Sequence, residues 1–183
     1  MDIACKLTTE EVIGKLSEKG IETNNWLLSR SAREGLIPKP LIKRFGRGKG
    51  TVVFYDNETP AEYYANKMIK KHYKLPYSDI VAIRGKAIGA EFQSLLNSAF
   101  DDPHNFLAIL WLYYKANFNG GTHNNHKIIV YSGLQWGGER YLDIELKVSG
   151  SVYKTRIREF KEPEKLNKWL KILRPICITH GYI

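Results

Sequence analysis

Between Leu36 and Phe54 the chain carries Lys39, Lys43, Arg44, Arg47 and Lys49 without one Asp or Glu. Cations packed this way suit a polyanion, because each Lys or Arg that neutralises a phosphate releases condensed counterions. Just upstream, Thr23, Asn24, Asn25, Ser29, Arg30 and Arg33 bring hydrogen-bonding side chains together in a short stretch. Asn and Arg pair bidentately with adenine and guanine edges, so the chemistry of the two stretches together is recognition of double-stranded DNA. The loop from Gly46 to Gly50 is not a nucleotide cradle. That motif needs its lysine followed by a Ser or Thr that opens a helix, whereas Gly50 separates Lys49 from Thr51, and Thr51 to Tyr55 is β-branched and aromatic.

Other residues able to do chemistry do not assemble into a site. His123 and His126 form an H-x-x-H in a Gly/Asn loop with no carboxylate or cysteine close by, and read as loop histidines. Asp143 and Glu145 alternate strictly with apolar residues, as on the wet face of a strand. Trp111, Tyr113, Tyr114 and Trp136 have the spacing of core aromatics. Ser132-Gly133 and Ser149-Gly150 are turns lacking the G-x-S-x-G of a nucleophile elbow. With no nucleophile, base and orienting partner in view, the sequence predicts no enzyme, no metal and no cofactor.

The totals point the same way. A chain of 183 residues with 43% hydrophobic residues can bury a core, and 28 Lys+Arg against 19 Asp+Glu leave a net charge of +9. Cys5 and Cys177 lie at opposite ends of the chain and suggest neither a disulfide framework nor a zinc ribbon. The first residues lack the basic and apolar regions of a signal peptide. The longest apolar run, Phe106 to Tyr114, is half of the roughly 18 residues that span a bilayer. A cytoplasmic protein with no membrane partner is expected.

Positioning the basic and polar stretches requires helices and a hairpin. Thr8 and Glu11 make a capping box with Leu7 stapled to Val12, opening a helix that Gly20 ends. Thr23 is placed to cap a second helix from Asn24 to Glu34, closed by Gly35, Leu36 and Pro38. Leu41 to Phe45 then pairs with Thr51 to Tyr55 as a basic hairpin. Thr59-Pro60-Ala61-Glu62 reads as a further capping box, before a helix broken at Leu75-Pro76. Beyond it, Ser78 to Ala99 shows a helical stripe of Val81, Ile88, Phe92, Leu95 and Ala99, and Asp102-Pro103 opens a more apolar helix. Strands follow at Lys127 to Tyr131, around Leu142 to Val148 and from Val152 to Phe160, with a last helix starting at Pro163.

Helix, turn, helix, basic hairpin and helix within residues 1–75 is the order of a winged helix-turn-helix. Arg33-Glu34-Gly35-Leu36-Ile37-Pro38, followed by a basic wing ending at Tyr55, resembles the DNA-binding domain of the MerR family of bacterial regulators. In that family the motif is E-R-x-G-L-[IL]-P and the wing ends in R-x-Y. Arg33, Gly35, Leu36, Ile37, Pro38 and Tyr55 match, while Ala32 and Val53 stand where the family has Glu and the wing arginine. The resemblance covers about residues 7 to 73 and implies a sequence-specific transcriptional regulator working in the bacterial cytoplasm or nucleoid.

The expected fold is therefore α+β. A DNA-binding unit of residues 1–75 precedes residues 76–183, comprising helices, a small antiparallel sheet and a terminal helix. The second part is assigned to an effector, a protein partner or a homodimer, with Gly85 and Gly89 allowing close helix approach. The alternatives are an accessory DNA-bending protein of excisionase type and, less favoured, an enzyme carried on residues 76–183.

Overall fold

The computed structural model describes residues 6–46, 50–91, 94–95, 98 and 102–119, and the backbone of strands 127–134, 140–148, 151–157 and 178–179. The fold is α+β. The first sheet is antiparallel with order β1-β3-β2, formed by β1 (Lys6–Thr8), β3 (Thr51–Asp56) and β2 (Leu41–Arg44). The hairpin expected from Leu41 to Phe45 and Thr51 to Tyr55 is present, with Leu41 opposite Phe54 and Arg44 opposite Thr51. β1 was not legible: three residues have no period of their own, and they are strand only because Leu7 pairs with Tyr55 on β3.

Helix α1 (Thr9–Ser17) starts with the expected box, Thr8 N–H donating to Glu11 Oε2 at 2.6 Å and Glu11 N–H to Thr8 Oγ1 at 3.3 Å. The box hydrogen bonds pull the Glu11 carboxyl below its usual pKa. Helix α2 (Asn25–Arg33) is capped one residue later than expected. Asn24 Oδ1 accepts from Leu27 N–H at 2.9 Å, while Thr23 Oγ1 donates to Tyr63 Oη, also at 2.9 Å. A partner forty residues away has taken the hydroxyl, and local spacing carries no sign of it.

Helix α3 (Thr59–Tyr73) has Pro60 in its first turn, but no side-chain cap. The expected box is replaced by an inward turn of Glu62 towards Arg84, while Thr59 itself is buried. Helix α4 (Tyr77–Gly89) buries Ile80, Ile83 and Ala87. Its stripe lies one residue, about 100°, away from the Val81 and Ile88 phase expected. Ile88 is 52% exposed. Six apolar residues between 80 and 88 offer two nearly equal phases, and packing selects one. Helix α5 (Pro103–Phe118) follows the sequence closely, with Asp102 as N-cap, Pro103 in the first turn and every residue from Phe106 to Trp111 buried.

Two apolar clusters hold these elements. Val12, Leu16, Leu28, Ile37, Tyr55 and Phe118 belong to the first; Leu36, Ile69, Ile80, Ile83, Phe106 and Trp111 belong to the second. Both draw residues from each side of position 75. Within the second cluster, buried Asn66 of α3 accepts from Trp111 Nε1–H at 2.7 Å and donates to the Leu36 carbonyl.

The second sheet has order β6-β5-β4-β7, from β4 (Lys127–Leu134), β5 (Arg140–Val148), β6 (Ser151–Ile157) and β7 (Ile178–Thr179). β7 runs parallel to β4, so this sheet is mixed rather than purely antiparallel. Its register sets Asp143 opposite Arg156 and Glu145 opposite Lys154. The expected terminal helix from Pro163, the loop histidines His123 and His126, and Trp136 lie outside the described residues.

Candidate nucleic-acid interface

At 100° per residue, burying Leu28 and Ala32 fixes which side of α2 meets solvent. Asn25, Ser29 and Arg33 form one exposed row, with Ser29 Oγ donating to Asn25 Oδ1 at 3.4 Å. Beside it, Arg30 Nε donates to Glu34 Oε1 at 2.7 Å, and its guanidinium lies 5.5 Å from the Trp26 ring centre. That hydrogen bond raises the Arg30 pKa further. Trp26 itself is 62% exposed, an unusual state for so large an apolar side chain. Two of the polar residues expected to read bases are occupied otherwise: Asn24 caps the helix through Oδ1, and Thr23 holds Tyr63.

On one flank, the hairpin carries Lys43 and exposed Arg44, with exposed Lys39 before it. Phe45 N–H donates to the Gly50 carbonyl at 3.2 Å and closes the hairpin below its tip. Gly46 and Gly50 have φ of +91° and +77°, values that a side chain would strain. Arg47 and Lys49 lie outside the described residues. Tyr55 fixes the hairpin to the helices: its ring is wholly buried and its hydroxyl faces Ser29 and Thr9. Burial raises the Tyr55 pKa.

On the other flank, α2, α3 and α4 border a groove lined by Arg30, Ser31, Lys67, Lys70 and Tyr77. Lys70 Nζ stands 3.5 Å from the Tyr77 ring centre, and Arg30 lies 5.7 Å from the same ring. Lys67 lies 5.3 Å over Tyr63. Among the described residues, Glu34 is the one carboxylate lining this groove. Sequence reasoning missed these groups. The available signal was the repeat Lys67, Lys70, Lys71, Lys74, which puts four cations at helical spacing behind the basic hairpin. Trp26 carried a signal too, as an aromatic out of phase with Leu28 and Ala32.

The described surface therefore presents a polar face of α2, a basic hairpin strand and a groove lined by Arg30, Lys67 and Lys70. Among the described residues, no group of three His, Cys, Asp or Glu side chains could hold a metal ion, and no helix is long and apolar enough to cross a membrane. Comparison with family models, with curated proteins and with solved structures finds no match to this chain.

Proposed function

We propose that the chain is a sequence-specific DNA-binding transcriptional regulator whose α1, α2 and β2–β3 hairpin act as a MerR-like winged helix-turn-helix. In this reading α2 enters the major groove and the hairpin grips the backbone. The observation carrying it is the exposed Asn25, Ser29, Arg33 row, flanked by Lys43 and Arg44 on one side and Lys67 and Lys70 on the other. Bases are read by the row, and phosphates are held by the flanks.

The test is selection of binding sites from a random duplex library with the full chain, followed by salt titration of fluorescence anisotropy. Replacing Lys43 and Arg44 by Ala is expected to weaken every duplex alike and to lower the salt slope by about 0.9 per lost phosphate contact. Arg33→Ala is expected to weaken the selected site far more than random DNA. A full chain that binds neither selected nor random duplex at low salt overturns the reading.

The same proposal has the chain act as a dimer. Gly85, Gly89 and the half-exposed Ile88 of α4 support this, since among the described residues nothing lies within 4 Å of a Cβ built on either glycine. Sedimentation of the full chain as a monomer, both free and on its selected duplex, removes the dimer while leaving the DNA reading intact.

A further inference from the structure

Phe45 presents a large apolar side chain to water where the rest of the hairpin is built for a polyanion. It is 49% exposed, and Ile42 of β2, three residues earlier, is 59% exposed. Its backbone is nevertheless held: Arg44 pairs with Thr51, and Phe45 N–H bonds to the Gly50 carbonyl. The side chain is therefore shown from a fixed point rather than from a loose loop. Gly46 follows it and Gly50 faces it across the hairpin, and among the described residues nothing lies within 4 Å of a Cβ placed on either glycine.

A protein partner is a poor match for this stretch, since protein interfaces deplete lysine at their centres. Here Phe45 sits in the stretch from Leu36 to Phe54, where five cations have no acid among them. Charge selects nucleic acid, and an exposed apolar side chain beside arginine is the device with which proteins unstack a base step from the minor groove.

We propose that Phe45 is a wedge: it inserts between adjacent base pairs of the bound duplex and kinks it, while Arg44 holds the neighbouring phosphate. The inference rests on the DNA-binding reading above and extends it to the shape of the DNA. Pyrimidine–purine steps unstack most readily, so the preferred duplex carries a TA or CA/TG step where the hairpin lies. Specificity would then arise partly at a step whose base edges are not read.

The experiment uses the full chain and a 30-base-pair duplex recovered by the selection, labelled at both ends for energy transfer, with 2-aminopurine beside the TA or CA/TG step. The wild-type chain is expected to shorten the end-to-end distance and to raise 2-aminopurine fluorescence. Phe45→Ala and Phe45→Ser are expected to lose both signals, to bind the duplex roughly five- to tenfold more weakly, and to keep the wild-type melting curve. Phe45→Leu, still an apolar wedge, is expected to retain most of the bend. Binding without a bend by the wild-type chain, or an undiminished bend with Phe45→Ala, overturns the wedge and leaves DNA binding standing. A wild-type chain that binds no duplex removes both.

Discussion

Glu62 keeps only 4% of its surface exposed, with Arg84 Nη2 2.7 Å from one carboxylate oxygen and Lys115 Nζ 3.5 Å from the other. Arg84 comes from α4 and Lys115 from α5, so one carboxylate on α3 joins three helices. Removing one member of a buried charge cluster strands the others away from water, at a cost of about 3–5 kcal/mol. Glu62→Ala is therefore expected to lower unfolding stability by about 3 kcal/mol, read from urea midpoints at constant m. Replacing Glu62 and Arg84 together by Leu and Met is expected to cost less than Glu62→Ala alone, because fewer charges are left unpaired. None of this was legible locally. Thr59-Pro60-Ala61-Glu62 has the spacing of a capping box, but the pull of two cations from later helices outweighs a cap hydrogen bond worth only about 1 kcal/mol.

Where an element's end depends on its own backbone, the sequence was a better guide. Helix α2 closes with Leu36 N–H bonded to the Ser31 carbonyl at 2.9 Å and Gly35 N–H to the Ala32 carbonyl at 3.2 Å, the two bonds of a Schellman motif. Gly35 sits at φ +78°, and a Cβ there would meet Val81 Cγ1 at an acceptable 3.7 Å. The cost of Gly35→Ala is thus conformational, and a loss of about 1–2 kcal/mol is expected in thermal or urea unfolding. A much larger loss would show that α4 cannot yield at Val81. The start of α5 was equally readable from Asp102-Pro103, but the sequence did not show what else Asp102 does. Its Oδ2 accepts from Lys86 Nζ of α4 at 2.6 Å, and its Oδ1 accepts from His104 N–H at 2.9 Å. The Lys86 hydrogen bond, helped by that backbone N–H, holds the Asp102 carboxyl below its ordinary value of 3.8. A depressed carboxyl contributes stability that is whole above the unfolded-state value and is lost as pH falls through the folded one. Asp102→Ala is expected to cost about 1 kcal/mol at neutral pH. The difference between variant and wild type should shrink as pH falls below 3.8, which paired acid and urea titrations will measure.

For the whole molecule, the informative position is Leu75-Pro76-Tyr77. From sequence this reads as the boundary of a free-standing DNA-binding unit, because proline ends a helix there. The chain does break its helix at that point, but the apolar contacts do not stop. Leu36, Ala65 and Ile69 share a cluster with Ile80, Ile83, Phe106 and Trp111, and Phe118 of α5 reaches back into the cluster of Val12, Leu16 and Leu28. A local pattern reports where a helix stops, whereas the partner of its buried face depends on contacts far along the chain. The polar contacts cross as well: Trp111 Nε1 reaches Asn66, Arg84 reaches the Gly35 carbonyl at 3.3 Å, and Lys115 reaches Glu58 at 3.1 Å. Cutting after residue 75 would expose Ile69 and Ala65, strand Asn66 and Glu62, and remove the aromatic cover of Phe118 over Tyr64, whose ring centres lie 5.5 Å apart. Each buried large side chain lost from such a core costs about 2–5 kcal/mol, against a total stability of about 5–15 kcal/mol for a domain. A fragment of residues 1–75 is therefore expected to be unfolded or to melt without cooperativity at 25 °C. A fragment of residues 1–119 should unfold in a single urea transition and, if the proposed DNA reading holds, show the same salt slope for duplex binding as the full chain. Cooperative unfolding of the 1–75 fragment with full-chain stability would show that α4 and α5 rest on the first three helices without supporting them.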